Sequence, residues 1–369
     1  TPLGYNVGRD RMTFGIYWMN VDGDRELLVA APGTSCNHAT LVAPQKRPFV
    51  KASTVDYTRN DGVYYMQNIY EGGGLEGIKP GTIKKLRVVE IQYRAATVGK
   101  AAGGGKGGGA MVGTPPGVGR TAWDLKKIWG VADVYEDGSA FFRVPARTPL
   151  YFQALDERGY VVQTMRSWST LQPGETQSCV GCHEHKNTVP VSEFGMSQAM
   201  KAGVQELQAE DEMGTRNFSY IKEVQPIWDK HCISCHDGVK HKMSLKGDLK
   251  QFDYESKRLY NDSYINLTHT KPELDRVWTI TANPFHPEVN WIDAMSEPTM
   301  LKPYTAGAAT SNIIKRMENG HGGTKVSKEE IHHVALWLDL LVPFTVKAGK
   351  YTENDRLRRV ILFVMAIAF

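Results

Sequence analysis

With 369 residues, 41% of them hydrophobic and 23% charged, the chain has the composition of an ordinary globular protein and enough length for two or three domains. A formal charge of +4, with no basic run interleaved with aromatic residues, argues against a nucleic-acid partner. No run of about 18 apolar residues occurs, so no segment can cross a bilayer as a helix.

The first predicted element is a β-hairpin over residues 14–30, with Phe14–Met19 and Arg25–Val29 flanking an Asp22-Gly23 turn. One hairpin cannot build a core alone. Residues 1–50, ending in the proline-bearing stretch Pro44 to Pro48, therefore read as the last strands of an upstream β domain. Residues 51–172 carry strand signals over Val63–Tyr70, Ile83–Arg94, Val131–Tyr135, Ser139–Val144, Leu150–Leu155 and Tyr160–Met165, with turns at Asp137-Gly138 and Glu157-Arg158-Gly159. Short strands with tight connections imply an antiparallel sandwich or barrel as a middle domain. The glycine-rich run 101–119 reads as an inserted surface loop. It is not a phosphate loop, because Gly107 follows Lys106 where that motif needs serine or threonine.

Residues 173–369 read as a mainly α-helical domain. Met196–Ala209 places Met196, Met200, Val204 and Leu207 on one helical face. Ser327 to Glu330 is a capping box, followed by Ile331, Val334, Ala335, Leu338 and Leu341 at helical spacing and stopped by Pro343. The apolar end, residues 360–369, is too short to span a membrane and reads as a segment docked on the protein, on a partner or on a membrane surface.

Four of the five cysteines fall in two copies of Cys-x-x-Cys-His, Cys179-Val180-Gly181-Cys182-His183 and Cys232-Ile233-Ser234-Cys235-His236. This pattern is the signature of covalent haem attachment: two thiols on one helical turn form thioethers with the haem vinyl groups, and the histidine becomes an axial iron ligand. The sequence thus calls for two haem c groups. A four-cysteine zinc site usually has about 15–20 residues between its knuckles, whereas residues 183–231 separate these by 49. Neither zinc nor a redox pair explains the two histidines.

The sixth iron position decides between electron transfer and reaction with a small molecule. The leading distal candidate is His321, in Asn319-Gly320-His321-Gly322-Gly323, where the glycines allow close backbone approach; an exposed loop histidine is the competing reading. His231 points away from its own motif's iron but could reach the other haem. His332 and His333 lie on the last helix, the first solvated or in a local network. Met295 and Met300, near Pro298 and Pro303, resemble the methionine loop of small cytochromes or are packing residues. Cys36 is left without a partner in the chain and, with His38, reads as a buried side chain, an interface or a metal site.

The stretch Asp137-Gly138-Ser139-Ala140-Phe141-Phe142-Arg143-Val144-Pro145, continuing through Leu150–Asp156 and Met165-Arg166-Ser167-Trp168 to Ser178-Cys179-Val180-Gly181-Cys182-His183-Glu184, resembles the hydrazine synthase alpha-subunit family. The resemblance reaches back through Gly74-Leu75-Glu76-Gly77 and Leu86–Glu90 and forward through Val224–Ile227 and Trp337–Leu340, covering most of residues 14–345. It implies a β-propeller, a small β domain and a dihaem cytochrome c domain, so the fold class expected is multidomain α+β with propeller strands first. It also implies a histidine before the final helix as the second haem's distal ligand, a position that His321 matches. Where the family's reactive haem site uses a tyrosine four residues after the first motif's histidine, this chain has Asn187.

The primary expectation is an exported dihaem cytochrome, with Cys179, Cys182, His183, Cys232, Cys235 and His236 holding haem and His183, His236 and His321 as iron ligands. It would pass electrons within a larger redox complex. The rival is a haem enzyme that converts a small nitrogen compound at an open first haem. Covalent haem attachment normally follows export, so a periplasmic or other extracytoplasmic location is expected. The start at Thr1 reads as a processed form or a piece of a longer protein.

Overall fold

The computed structural model describes residues 14–40, 42–44, 46–47, 49–50, 52–92, 125–184, 195–253, 258–268, 288–292 and 300–344. The loop 101–119, Asn187, Met295 and the segment 360–369 lie outside the described residues. The chain divides into two compact units, Thr1–Ser53 and Thr54–Phe369.

In the first unit, β1 (Ile16–Met19) pairs antiparallel with β2 (Arg25–Val29). The expected turn forms because the Asn20 carboxamide oxygen accepts from the amides of Asp22 and Asp24, while Gly23 takes a φ of 91°. Trp18 and Leu28 stay exposed.

The second unit contains β3 (Asp61–Met66), β4 (Lys85–Gln92), β5 (Leu125–Asp133), β6 (Ala140–Pro145), β7 (Leu150–Leu155), β8 (Val161–Thr164) and β9 (Thr176–Cys179). After these come α1 (Gln198–Ala202), β10 (Arg216–Asn217), α2 (Tyr220–Glu223), α3 (Gln225–His231), β11 (Leu249–Asp253) and β12 (Arg258–Asn261). The last elements are α4 (Asp262–Thr268), α5 (Asn312–Asn319) and α6 (Lys328–Asp339). One sheet has the order β10-β5-β4-β7-β8, a second the order β6-β3-β9, and β11 pairs with β12.

Period-two alternation gives the central sheet two buried faces. Leu86, Val88, Leu150, Phe152 and Ala154 pack toward Tyr64, Phe142 and Val144 of the β6-β3-β9 sheet, which makes the expected sandwich. Val89, Ile91 and Tyr151, their odd-numbered neighbours, pack instead with Trp228, Trp337 and other residues of the helices. Gln153 and Arg87 share that second face, and both are fully buried.

Arg87 is the polar centre of the helical face. Its guanidinium donates to both Glu210 carboxylate oxygens, to Gln153 Oε1 at 2.8 Å and to the Gly159 carbonyl at 3.3 Å. Asp339, at the end of α6, lies 3.8 Å from it and accepts from the amides of Val161 and Ala308. Burial pushes the Asp339 carboxyl up to about 6, against the pull of Arg87 and the two amides.

Two expectations need correction. The predicted helix over 196–209 is only α1, because Gly203 at φ 87° ends it and Gln205 and Gln208 turn to backbone pairing with Phe142 and Val131. The expected mainly α-helical character after residue 172 is only partly met. Its helices are short, α6 being the longest at 12 residues, and β9 to β12 fall among them, so the described chain is β-rich. The capping box at Ser327 forms as predicted, with both reciprocal hydrogen bonds.

Replacing Arg87 by methionine strands the Glu210 carboxylate in a buried site, and we expect a loss of about 3–5 kcal/mol in denaturant unfolding. A loss below about 1 kcal/mol would mean that the network does not hold the helices to the sheet.

Candidate functional site

The first Cys-x-x-Cys-His segment is built from a strand. β9 runs parallel to β3, with Cys179 opposite Met66. The carbonyls of Cys179, Val180 and Cys182 accept from the amides of Gln67, Asn68 and Gly74. These carbonyls are therefore spent on the 67–74 segment and not on amides three or four residues ahead. His183 takes a φ of 62°. The helical turn expected at this motif is accordingly absent.

Close approach explains the neighbouring glycines. A Cβ on Gly74 would lie 2.5 Å from Cys182 Sγ, and one on Gly72 2.6 Å from the Glu184 amide nitrogen. A Cβ on Gly181 would strike the Glu71 carbonyl.

A cavity of about 490 Å³ opens beside this motif. Cys179, Cys182 and His183 line it, together with apolar Tyr64, Leu86 and Phe152. Its volume is in the range of cofactor and ligand pockets, about 300–1,000 Å³. Burial, reinforced by Glu184, pushes the Cys182 thiol up to about 11 and raises that of Cys179. Met300, half exposed, also lines the cavity, and its methyl group packs against Gly73. Gly74, Met165 and Arg166, to which the sequence alone assigns no role, also line this cavity.

The second motif is built from a helix. α3 runs into Cys232, whose carbonyl accepts from the amides of Cys235 and His236, so here the expected turn forms. Cys232 packs against the helical core and burial raises its thiol to about 11, whereas Cys235 is exposed. His236 Nδ1 lies 3.2 Å from the Met243 carbonyl. A proton on Nδ1 makes that hydrogen bond and leaves Nε2 as a donor for a metal.

His321 follows α5, which ends at left-handed Gly320, and its ring centre stands 6.2 Å from that of His236. Two imidazoles ligating one metal from opposite sides, each nitrogen about 2 Å away, have ring centres about 6 Å apart. His241, at 4.4 Å from His236, is too close for that arrangement. The residues at both motifs thus fit haem: two thiols beside an apolar cavity at one, and two thiols with a facing histidine pair at the other.

The remaining candidates separate. His231 Nε2 sits 3.0 and 3.1 Å from the two Glu330 carboxylate oxygens, so its ring ties α3 to α6 and does not reach another site. His332 belongs to a local polar cluster, 3.9 Å from Glu210 and from Asp211, and burial lowers its pKa. In the first unit, the Cys36 amide donates to the Phe14 carbonyl and His38 contacts Asn37. Among the described residues no three histidine, cysteine, aspartate or glutamate side chains converge as a metal cluster, so the two cysteine pairs do not merge into one zinc site.

A family model described as the hydrazine synthase alpha subunit middle domain matches residues 81–184. The hydrazine synthase subunit alpha of Kuenenia stuttgartiensis is 30% identical, over 52% of this chain and 30% of that protein. These two matches make the chain similar to hydrazine synthase alpha subunits. The solved Kuenenia stuttgartiensis Hydrazine Synthase structure resembles this chain with a TM-score of 0.57. At 16% identity, covering 93% of this chain and 54% of that chain, this is a likeness of fold. The chain therefore spans 30% of the length of the first relative and 54% of the second. No helix among the described residues is long and apolar enough to cross a membrane.

In the haem-free chain at pH 8, iodoacetamide should label exposed Cys235 first, with Cys182 and Cys232 on the order of a hundredfold slower because so little thiolate is present. Equal rates, read by peptide mass spectrometry, would show that the two buried thiols are not packed as described.

Proposed function

We propose that the chain is the haem-bearing part of a hydrazine-synthase-like enzyme subunit, with a reaction site at the first motif and an electron-relay site at the second. The contrast between a cavity beside Cys179–His183 and a histidine pair at His236–His321 supports this reading. Cys179 and Cys182 would hold a haem there, which would supply redox chemistry toward a small nitrogen compound. Leu86 and Phe152 exclude water from that space, and the fixed backbone of residues 67–74 holds the motif in place. At the second motif Cys232 and Cys235 would be the attachment thiols, and His236 and His321 would hold the iron and keep outside molecules from it.

The word subunit in the relative's name supports a further part of the reading, that the chain works with partner subunits. The exposed two-stranded hairpin supports another, that this unit completes an upstream β domain. Covalent attachment of two haems, which normally follows export, supports a periplasmic or other extracytoplasmic location. A dihaem electron carrier is the second reading, and the closed pair at His236–His321 is the observation in its favour.

Carbon monoxide added to the reduced dihaem protein should shift the Soret band of one haem in wild type and of both in His321→Ala. No shift in wild type would leave only an electron carrier. Two shifts in wild type would remove His321 as a ligand.

A further inference from the structure

The two motifs differ in how far they present themselves to solvent. Cys179 and Cys182 are partly buried, and burial raises both thiols. Cys235 is exposed, as are His321 and its glycine neighbours Gly320, Gly322 and Gly323. In the turn directly after His236, Val239 is 88% exposed. One edge of the second motif therefore lies open, with an apolar residue in the turn that leaves it.

The charge along this edge is mostly of one sign. Residues 230–246 contain four lysines, Lys230, Lys240, Lys242 and Lys246, and one carboxylate, Asp237, in a chain whose formal charge is only +4. Lys230 is paired with Glu330 at 2.8 Å. Among the described residues the other three lysines form no salt bridge with a carboxylate. Asp237 is spent locally, since its carboxylate accepts from the amides of Val239 and Lys240.

Three contacts place these charges at the motif. Lys240 Nζ donates to the Ser234 carbonyl at 2.9 Å, between the two cysteines. The amides of Val239 and Lys240, and then the charges of Lys240 and Lys246, lower the Asp237 carboxyl, so both ammonium groups are felt at the residue after His236. Thr324 Oγ1 donates to the His231 carbonyl at 3.5 Å, which ties the His321 loop to the motif and brings exposed Lys325 beside it.

A small apolar centre with a charged rim suits a transient protein contact. Its sign selects the partner: an acidic face is steered in and oriented, whereas a basic face is repelled. With the iron closed by His236 and His321, only electrons cross this edge, so the partner must carry a redox group of its own.

We infer that the lysine-rimmed surface around Cys235 and Val239 docks an acidic electron-transfer protein. The inference deepens the relay reading of the second motif and rests on it.

The test mixes the full chain, with both haems attached and reduced, with oxidised plastocyanin that carries an acidic surface patch. One electron leaves the second haem and reduces copper(II) to copper(I). Wild type should react at least about tenfold faster at about 10 mM ionic strength than at about 150 mM, because the screening length falls from roughly 30 Å to roughly 8 Å. The triple variant Lys242→Gln, Lys246→Gln, Lys325→Gln should lose that advantage. Lys242→Arg, Lys246→Arg and Lys325→Arg together should keep it.

The cationic oxidant tris(phenanthroline)cobalt(III) is the folding control, since loss of lysines cannot slow it. Should it slow in the triple variant, the single change Lys242→Glu is read in the same way. A plastocyanin rate and salt dependence that match wild type in the glutamine variant overturn the inference and leave the relay reading standing. Wild-type binding to phosphatidylserine vesicles, with no salt dependence toward plastocyanin, assigns the surface to a membrane and also overturns it. If peptide mass spectrometry finds no haem on Cys232 and Cys235, the relay reading itself fails and the inference falls with it.

Discussion

A guanidinium with no access to water must find its full set of partners inside the protein, and Arg87 finds side-chain partners on three separate parts of the chain. Glu210 meets it from the segment after α1, Gln153 from β7 and Asp339 from the end of α6. Gln153 also donates to the Asp339 carbonyl at 2.6 Å, so the sheet and the last helix share one polar joint. Removing one member exposes the others to an uncompensated burial cost of several kcal/mol. The joint therefore fixes where α6 lies on the sheet.

From that joint the two motifs acquire different surroundings. α6 carries Glu330, which holds His231 immediately before Cys232, so the helical face of the sheet fixes the second motif. Despite burial, hydrogen bonds from Lys230, the Ser327 amide and His231 hold the Glu330 carboxyl down to about 2. The opposite face packs on the β6-β3-β9 sheet, and β9 delivers Cys179. One motif thus continues a helix and the other continues a strand. The same five-residue pattern has two backbone geometries because different hydrogen-bond partners claim its carbonyls.

Features encoded over a few residues were legible in the sequence. The Asp22-Gly23 turn, the β7 strand and the Ser327 capping box all depend on near neighbours. What needed distant partners was not legible. The Cys179 carbonyl bonds Gln67, more than a hundred residues earlier, and nothing in the motif itself announces that. The helical face read into residues 196–209 is a periodic set of apolar residues of which Met196, Met200 and Val204 remain largely exposed. Gly203 breaks it because the chain must turn back onto β6 and β5. The loop of His321 is rich in glycine and matches the family resemblance, whereas the cavity required Leu86, Phe152 and Gln163 to meet from three different strands.

The central claim is that the two proposed haem sites are unequal, one open beside a cavity and one closed by a histidine pair. Electron paramagnetic resonance of the fully oxidised dihaem protein tests it most directly. The account predicts one low-spin ferric signal from the second site, lost in His321→Ala, together with a distinct high-spin signal from the first. Two low-spin signals, both indifferent to residue 321, would contradict it.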